Sequence, residues 1–329
     1  MVMTGFMLLL SAGTAAIPIA VCYLGRWILD RTRTEPPWIF PLLIVLGGLG
    51  GCFFALVLAP LMEPWLLLDQ AANDAVDWTT IIQAAAEELG KGLVLCPLLM
   101  TRYFRSPIDG ALYGLAAGSG FAVVENVMSF VNALHIEGSL IWVETVLTRL
   151  GPSIVIHGGC TAVVGLYLGA SHWFSNRWLT PGLFVIGWII ATAAHSTWNV
   201  LLETTNMTGQ SGYTDLAYLF LFCFLVTGLT LLVLAVRLEA SLLKRELLVD
   251  VQDGHISEEE LHILTDPIAR RSRKWLPRDA SRTQFVRRAR HLAYARRRNR
   301  HLKGDAADSI EMQRSKLLAA KDQLDADDP

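Results

Sequence analysis

Seven apolar runs dominate residues 1–237, each close to the roughly 20 residues that a helix needs to cross a bilayer. They cover about Phe6–Ile28, Trp38–Leu61, Trp78–Met100, Ile108–Val131, Pro152–Ala170, Leu179–Leu202 and Leu216–Val236. A segment in lipid must satisfy its own backbone, so the expected fold is all-α, a polytopic helix bundle of about seven spans. Composition agrees: 53% of residues are hydrophobic and 18% charged, where a soluble domain carries about 25% charged. Five cysteines (Cys22, Cys52, Cys96, Cys160, Cys223) all lie within apolar segments without a CxxC, and they read as small packing residues. The first run has no Lys or Arg before it and is expected to stay as a span, not to be removed as a signal peptide.

Loop charges orient the bundle. Arg26, Arg31 and Arg33 follow the first run, Arg102 and Arg105 the third, Arg177 the fifth, and Arg237, Lys244 and Arg245 the seventh. The alternate loops carry Glu63, Asp69, Asp74, Asp77, Glu137, Glu144 and Glu203, with Arg149 as their one base. The positive-inside rule then places the N-terminus outside the cell membrane and the C-terminus in the cytoplasm. Gly110, Gly114 and Gly118, and then Thr161, Gly165 and Gly169, recur every four residues, the spacing that lets helix backbones approach closely in lipid.

Polar residues inside the runs are few, and they concentrate the chemistry. The third run contains Glu87, Glu88 and Lys91. Each charge costs about 2.5–3.5 kcal/mol at the centre of a membrane helix, so together they cost about 8–10 kcal/mol before pairing. The i,i+3 and i,i+4 spacings let Lys91 meet both carboxylates. An internal salt bridge that only fixes packing explains one glutamate and leaves the other over. The fourth run adds Glu125 and Asn126, the fifth His157, and the sixth His195 with Asn199 on the same helix face. At about 1.5 Å per residue, Asn199, His157, Glu125 and His195 lie roughly 5–11 Å from the outer ends of their runs, and Glu88 roughly 15 Å. One cavity facing the external side can therefore hold all of them.

Two chemistries are open to such a set. A carboxylate in a shielded cavity can activate a water as general base, with His195 and Asn199 stabilising the oxyanion or the leaving amine. Alternatively Glu125, His157 and His195 form a His₂Glu ligand set for a catalytic zinc, with Glu88 as base. No HExxH is present, so water activated by glutamate without zinc is the first expectation. No serine nucleophile with a partner at recognisable spacing occurs. Intramembrane Glu, Lys and His also mark ion pathways, which leaves a proton-coupled carrier as an alternative, although no internal repeat of the broken-helix type is visible.

Glu87–Glu88–Leu–Gly–Lys91, Asp109–Gly110 through Phe121–Ala–Val–Val–Glu125–Asn126, Arg149 through Pro152 to His157, and His195 with Asn199 together resemble the PrsW-type intramembrane proteases. These share a wider superfamily with the CAAX-prenyl endopeptidases, and Asp30 with Glu35–Pro36 after the first run is also similar. The resemblance implies a membrane-embedded endopeptidase in which Glu87, Glu88, Glu125, His157 and His195 are catalytic and Lys91, Asn126, Arg149 and Asn199 support them. It also implies a membrane-anchored protein substrate cut near the external side, such as an anti-sigma factor. Non-catalytic scaffold subunits of the wider superfamily are the other alternative, and those would be recognised by loss of the glutamates or histidines.

Residues 238–329 form a separate, partly helical or disordered cytoplasmic tail. Ser257–Glu–Glu–Glu260 is a capping-box signature. Between Arg270 and Lys303 fourteen Lys/Arg face one acid, Asp279, and Phe285, Ala289 and Leu292 recur at helical spacing. That pattern predicts a basic amphipathic helix lying on anionic inner-leaflet lipids; no base-reading module is present, so nucleic acid is not an expected partner. The acidic stretch from Asp305 onwards is expected to fray.

Overall fold

Apolar runs of this length leave the backbone no partner but itself, and each is helical in the computed structural model of the chain. The structure describes residues 2–29, 36–61, 78–101, 103–174, 176, 178–266, 269, 280–299 and 305–327. Asp30, Arg31, Arg33, Glu35, Glu63, Asp69, Asp74, Asp77, Arg102, Arg177 and the tail stretches 270–279 and 300–304 fall outside them. Among the described residues there is no strand. The helices are α1 (Val2–Ala15), α2 (Ile17–Leu29), α3 (Ile39–Phe53), α4 (Trp78–Leu93), α5 (Pro107–Asn132), α6 (Ser139–Ser153), α7 (Gly159–Ala170), α8 (Leu179–Thr208), α9 (Gly212–Gln252), α10 (Glu258–Thr265), α11 (Ala280–Asn299) and α12 (Asp305–Asp327).

Six segments among the described residues are long and apolar enough to cross a membrane: Gly5–Ile28, Ile39–Leu61, Pro107–Ile136, Ser139–Trp173, Leu179–Thr208 and Gly212–Gln252. The expected span Trp78–Met100 is not one of them, so the count of seven is not confirmed. Its helix α4 ends at Leu93 after 16 residues, and Cys96–Met100 continues as a 3-10 turn. The physical reason is burial. Glu87, Glu88 and Lys91 all lie inside protein, so this helix answers to its neighbours and not to the thickness of a bilayer. The fifth run is also longer than its apolar stretch suggests. It starts at Ser139 and passes through Pro152 and a π-helical turn, Ile154–Gly158, into α7. Pro152 has no N–H to give the Thr148 carbonyl four residues back. The Tyr218 hydroxyl donates to that carbonyl instead, at 3.3 Å.

The chain divides into two compact units. One comprises Met1–Leu24, Pro37–Ala170 and Thr180–Leu231; the other comprises Gly25–Pro36, Ser171–Leu179 and Leu232–Pro329. Within the first, α5 is the axis. Its N-terminus is fixed by a reciprocal cap in which Ser106 Oγ accepts from Asp109 N and Asp109 accepts from Ser106 N at 2.9 Å. The glycine rows then work as the sequence predicts. A Cβ at Gly110 would overlap the Gly165 carbonyl, one at Gly114 that of Thr161, and one at Gly118 that of His157. Helices α5 and α7 therefore run backbone to backbone, and the residues bearing His157 and Thr161 are pressed against α5. The glycines of α3 do the same on other sides, with Gly47 against Ala117 and Gly50 against the Gly90 carbonyl of α4.

The second unit has its own core. Leu243, Leu247, Ile256 and Leu264 pack with Phe285, Ala289, Leu292, Leu317 and Leu324, and Trp173 lies against them. Ser257 and Glu260 form the expected capping box at the start of α10. The acidic end does not fray among the described residues: α12 runs from Asp305 to Asp327 and buries Leu317, Ala320 and Leu324. The apolar stripe of α11, expected to face lipid, is spent inside this core. Some of its arginines are spent there as well. Arg290 pairs with Glu239, and Arg296 with Asp250. Burial works against the Arg290 charge, but Glu239 and Tyr294 outweigh it and raise its pKa.

Candidate active site

Helix α4 delivers the charged cluster. Lys91 Nζ, fully buried, lies 2.6 Å from Glu88 Oε1 and 4.0 Å from Glu87 Oε2. A ring of Phe121 sits under the ammonium, 4.4 Å from its centroid, as a cation–π contact that α5 supplies. Two hydrogen bonds set α8 against α4: Trp188 Nε1 donates to the Ala85 carbonyl at 2.9 Å, and Thr80 Oγ1 to Glu203 Oε2 at 2.6 Å. That registration brings His195 Nδ1 to 2.9 Å from Glu88 Oε1. Thr161, on the face of α7 pressed against α5, donates to Glu88 Oε2 at 3.1 Å. Glu88 thus holds three partners from three helices.

The second histidine is held in the same manner. His157 Nε2 lies 2.5 Å from Glu125 Oε2, and Arg149 Nη2 lies 2.5 Å from the other oxygen of that carboxylate. The two imidazoles meet edge to face, with centroids 4.9 Å apart. An ionised carboxylate can only accept, so the contact with Glu88 favours the proton on His195 Nδ1 and the ion pair with Glu125 favours it on His157 Nε2. The opposite nitrogens are left with lone pairs. His195 Nε2 points to Glu87 Oε2 at 3.8 Å, and His157 Nδ1 lies 3.5 Å from Lys91 Nζ.

Glu87 is bound less fully than Glu88. Its Oε1 accepts from Gln83 at 3.3 Å, while its Oε2 is buried and has no hydrogen bond. Ligand atoms of Glu87, His157 and His195 lie within 4.8 Å of one another, all three residues buried, which fits a divalent cation. The surroundings fit as well. Metal-binding histidines usually give their other ring nitrogen to a carboxylate, and here both do. The charges agree: Glu88 has Lys91 and Glu125 has Arg149, and Glu87 is the carboxylate over. The ligand set weighed from sequence was Glu125, His157 and His195. The structure puts Glu87 where that set had Glu125, because Glu125 stands behind His157, on its protonated side.

Against the comparisons with known proteins, a family model described as PrsW family intramembrane metalloprotease matches residues 35–245. The chain belongs to the PrsW family. No match was found among the curated proteins or among the solved structures. As a PrsW-family member the chain is a polytopic membrane protein of the intramembrane protease class, and its description as a metalloprotease accords with the Glu87, His157 and His195 grouping.

The residues singled out by sequence divide accordingly. Glu87, Glu88, Lys91, Glu125, Arg149, His157 and His195 form one connected cluster. Asn126 is fully buried beside Glu125 in sequence, but neither its amide nitrogen nor its oxygen has a hydrogen-bond partner among the described residues. Asn199 is half-buried one turn beyond His195 and makes no bond to the cluster. Thr161, Gln83 and Phe121 join the cluster beyond the residues the sequence singles out; Thr161 is the polar member of a small-residue row and Phe121 opens the Phe121–Glu125–Asn126 motif, whereas Gln83 has no sequence signal.

Proposed function

We propose that this protein is an intramembrane endopeptidase that hydrolyses a peptide bond of a membrane-anchored protein near the external side. The substrate class is a single-span regulatory protein such as an anti-sigma factor. One observation carries the reading. Each histidine sets one ring nitrogen against a carboxylate, and ligand atoms of both lie within 4.8 Å of one another and of Glu87, whose Oε2 has no hydrogen bond.

In this reading Glu87, His157 and His195 hold a divalent metal, zinc by its preference for this donor set. When bound, the metal supplies Lewis-acid polarisation of the scissile carbonyl and a more acidic water. The remaining steps fall to the chain. Glu88 Oε2 accepts a single hydrogen bond, from Thr161, and so keeps a lone pair for the proton of the attacking water. Water oxygen bonds to the carbonyl carbon, and the proton held on Glu88 passes to the amide nitrogen as the C–N bond breaks. The Lys91 ammonium faces the charge that develops on the carbonyl oxygen. Glu88 and Glu125 keep the two imidazoles in the tautomers that the chemistry uses. The loop-charge pattern, with the N-terminus outside and the C-terminus in the cytoplasm, supports a cut on the external side. On the cytoplasmic side we propose that the arginines of α11 not consumed by ion pairs meet anionic inner-leaflet lipids.

The test compares the membrane proteome of cells carrying the wild-type protein with that of cells carrying Glu87→Gln or His195→Ala, at matched protein levels. We expect one single-span membrane protein to lose its truncated form in both variants. Identical truncation patterns in all three would overturn the protease reading.

A further inference from the structure

We propose that Arg149 is a positioning residue for His157, acting through Glu125; the inference rests on the protease reading above for its kinetic consequence but not for its geometry. Arg149 and His157 lie on the same helical segment, Arg149 before Pro152 and His157 within the π-helical turn Ile154–Gly158 that follows it. A break of that kind leaves the direction of the following side chains poorly fixed by the helix itself. Here it is fixed from outside. The two oxygens of one carboxylate on α5 are tied to Arg149 before Pro152 and to His157 inside the π turn, each at 2.5 Å. Glu125 therefore closes a clamp across the π turn, and Arg149 is the half of the clamp that does not touch the centre.

Exposure explains why the arginine is needed. The side chains of Glu125 and Arg149 are 32% and 36% exposed, whereas that of His157 is 6% exposed. A part-exposed carboxylate held only by an imidazole can swing outward toward polar surroundings. With a guanidinium on its other oxygen it is held at both ends. Loss of Arg149 would free Glu125 to rotate, and the His157 ring would then lose the acceptor that keeps the proton on Nε2 and Nδ1 turned inward. The edge-to-face contacts with Phe121 at 5.0 Å and His195 at 4.9 Å do not choose between the two nitrogens, and Lys91 Nζ, 3.5 Å from Nδ1, is a longer contact than the carboxylate at 2.5 Å.

The experiment uses the full-length protein in nanodiscs, labelled with ¹⁵N-histidine, as wild type, Arg149→Met, Arg149→Lys and Glu125→Gln. The His157 signals are assigned by their absence in His157→Asn. We expect a single tautomer with the proton on Nε2 in the wild type, a mixture in Arg149→Met and Glu125→Gln, and recovery of the single tautomer in Arg149→Lys. Cleavage of a reconstituted single-span substrate should fall in kcat by about 10–100-fold in Arg149→Met, as losses behind a ligand do, with KM within about twofold. A merely structural arginine would lower thermal stability and leave the tautomer untouched. An unchanged His157 tautomer in Arg149→Met, or a raised KM with unchanged kcat, overturns the proposal. If the wild type cleaves nothing, the protease reading fails on its own account, and the tautomer measurement still decides the role of Arg149.

Discussion

The Glu88–Lys91 pair separates what holds this bundle together from what the bundle does. Both side chains are fully buried and their charges are 2.6 Å apart. Glu88→Gln would take the nearest carboxylate from the ammonium, which retains Glu87 at 4.0 Å, His157 Nδ1 at 3.5 Å and the Phe121 ring. Lys91→Met would strand the carboxylate, which retains His195 and Thr161. Breaking a buried pair from one side costs about 3–5 kcal/mol, so either single variant should be destabilised by that amount. Simple additivity would make the double variant worse by about 6–10 kcal/mol. The structure predicts otherwise. Removing both charges together removes the stranded ion, and neutral replacements of buried pairs are often equal to the original or better. The coupling in the double-mutant cycle should therefore be about 3 kcal/mol or more. The assay is unfolding of the detergent-solubilised protein over a denaturant series, with cleavage of a co-expressed single-span substrate measured in parallel. Glu88→Gln with Lys91→Met should be folded and inactive. A double variant less stable than both singles would refute the account of the pair, and one that is folded and cleaves at the wild-type rate would refute the catalytic assignment of Glu88.

Other outcomes follow from separate features. Purified protein should bind one divalent metal per chain and lose it with its activity on chelation; Glu87→Gln and His195→Ala should abolish binding, while Glu125→Gln weakens it by about 10–100-fold. Retention of full activity by metal-free protein would remove the metal from the mechanism. Gly118→Ala should destabilise by about 1–3 kcal/mol, because its Cβ meets the His157 carbonyl, whereas Gly13→Ala, with nothing within 4 Å, should not. Reporter fusions at Asp74 and Glu137 should read external and those at Ser106 and Asn176 cytoplasmic; a reversal at either pair sinks the orientation.

The architecture was legible where one physical rule dominates. Long apolar runs must be helices in lipid, and rows of glycine must be helix contacts, because few other residues let backbones touch. The span at α4 is the one left unconfirmed, for a related reason. Hydropathy assumes that an apolar run faces lipid, but Ala84, Ala86, Gly90 and Gly92 face protein, and so do the charges between them. Within the run only those charges hint at a protein environment; the apolar residues around them do not. Pro152 misled in the opposite direction. It suggests a helix end, yet the Tyr218 hydroxyl, 66 positions away in sequence (218 minus 152), takes up the carbonyl that the proline leaves open.

The site residues were legible as a set and illegible as a set of roles. Sequence spacing says that Lys91 can reach both Glu87 and Glu88, and it cannot say which one it takes. Distance decides that, 2.6 Å against 4.0 Å, and the decision propagates. Once Glu88 has the ammonium, it also has the His195 ring and the Thr161 hydroxyl, and Glu87 becomes the carboxylate with an oxygen to spare. The same logic runs on the other side. Once Arg149 has one oxygen of Glu125, the other oxygen holds His157 from behind, and Glu125 leaves the inward-facing set. Lys91 and Arg149 thus sit closest to Glu88 and Glu125, and Glu87, 4.0 Å from Lys91 Nζ, is the most loosely paired of the three carboxylates. A buried carboxylate so loosely held is where a cation would be bound most readily, and on the proposal above that cation is the divalent metal.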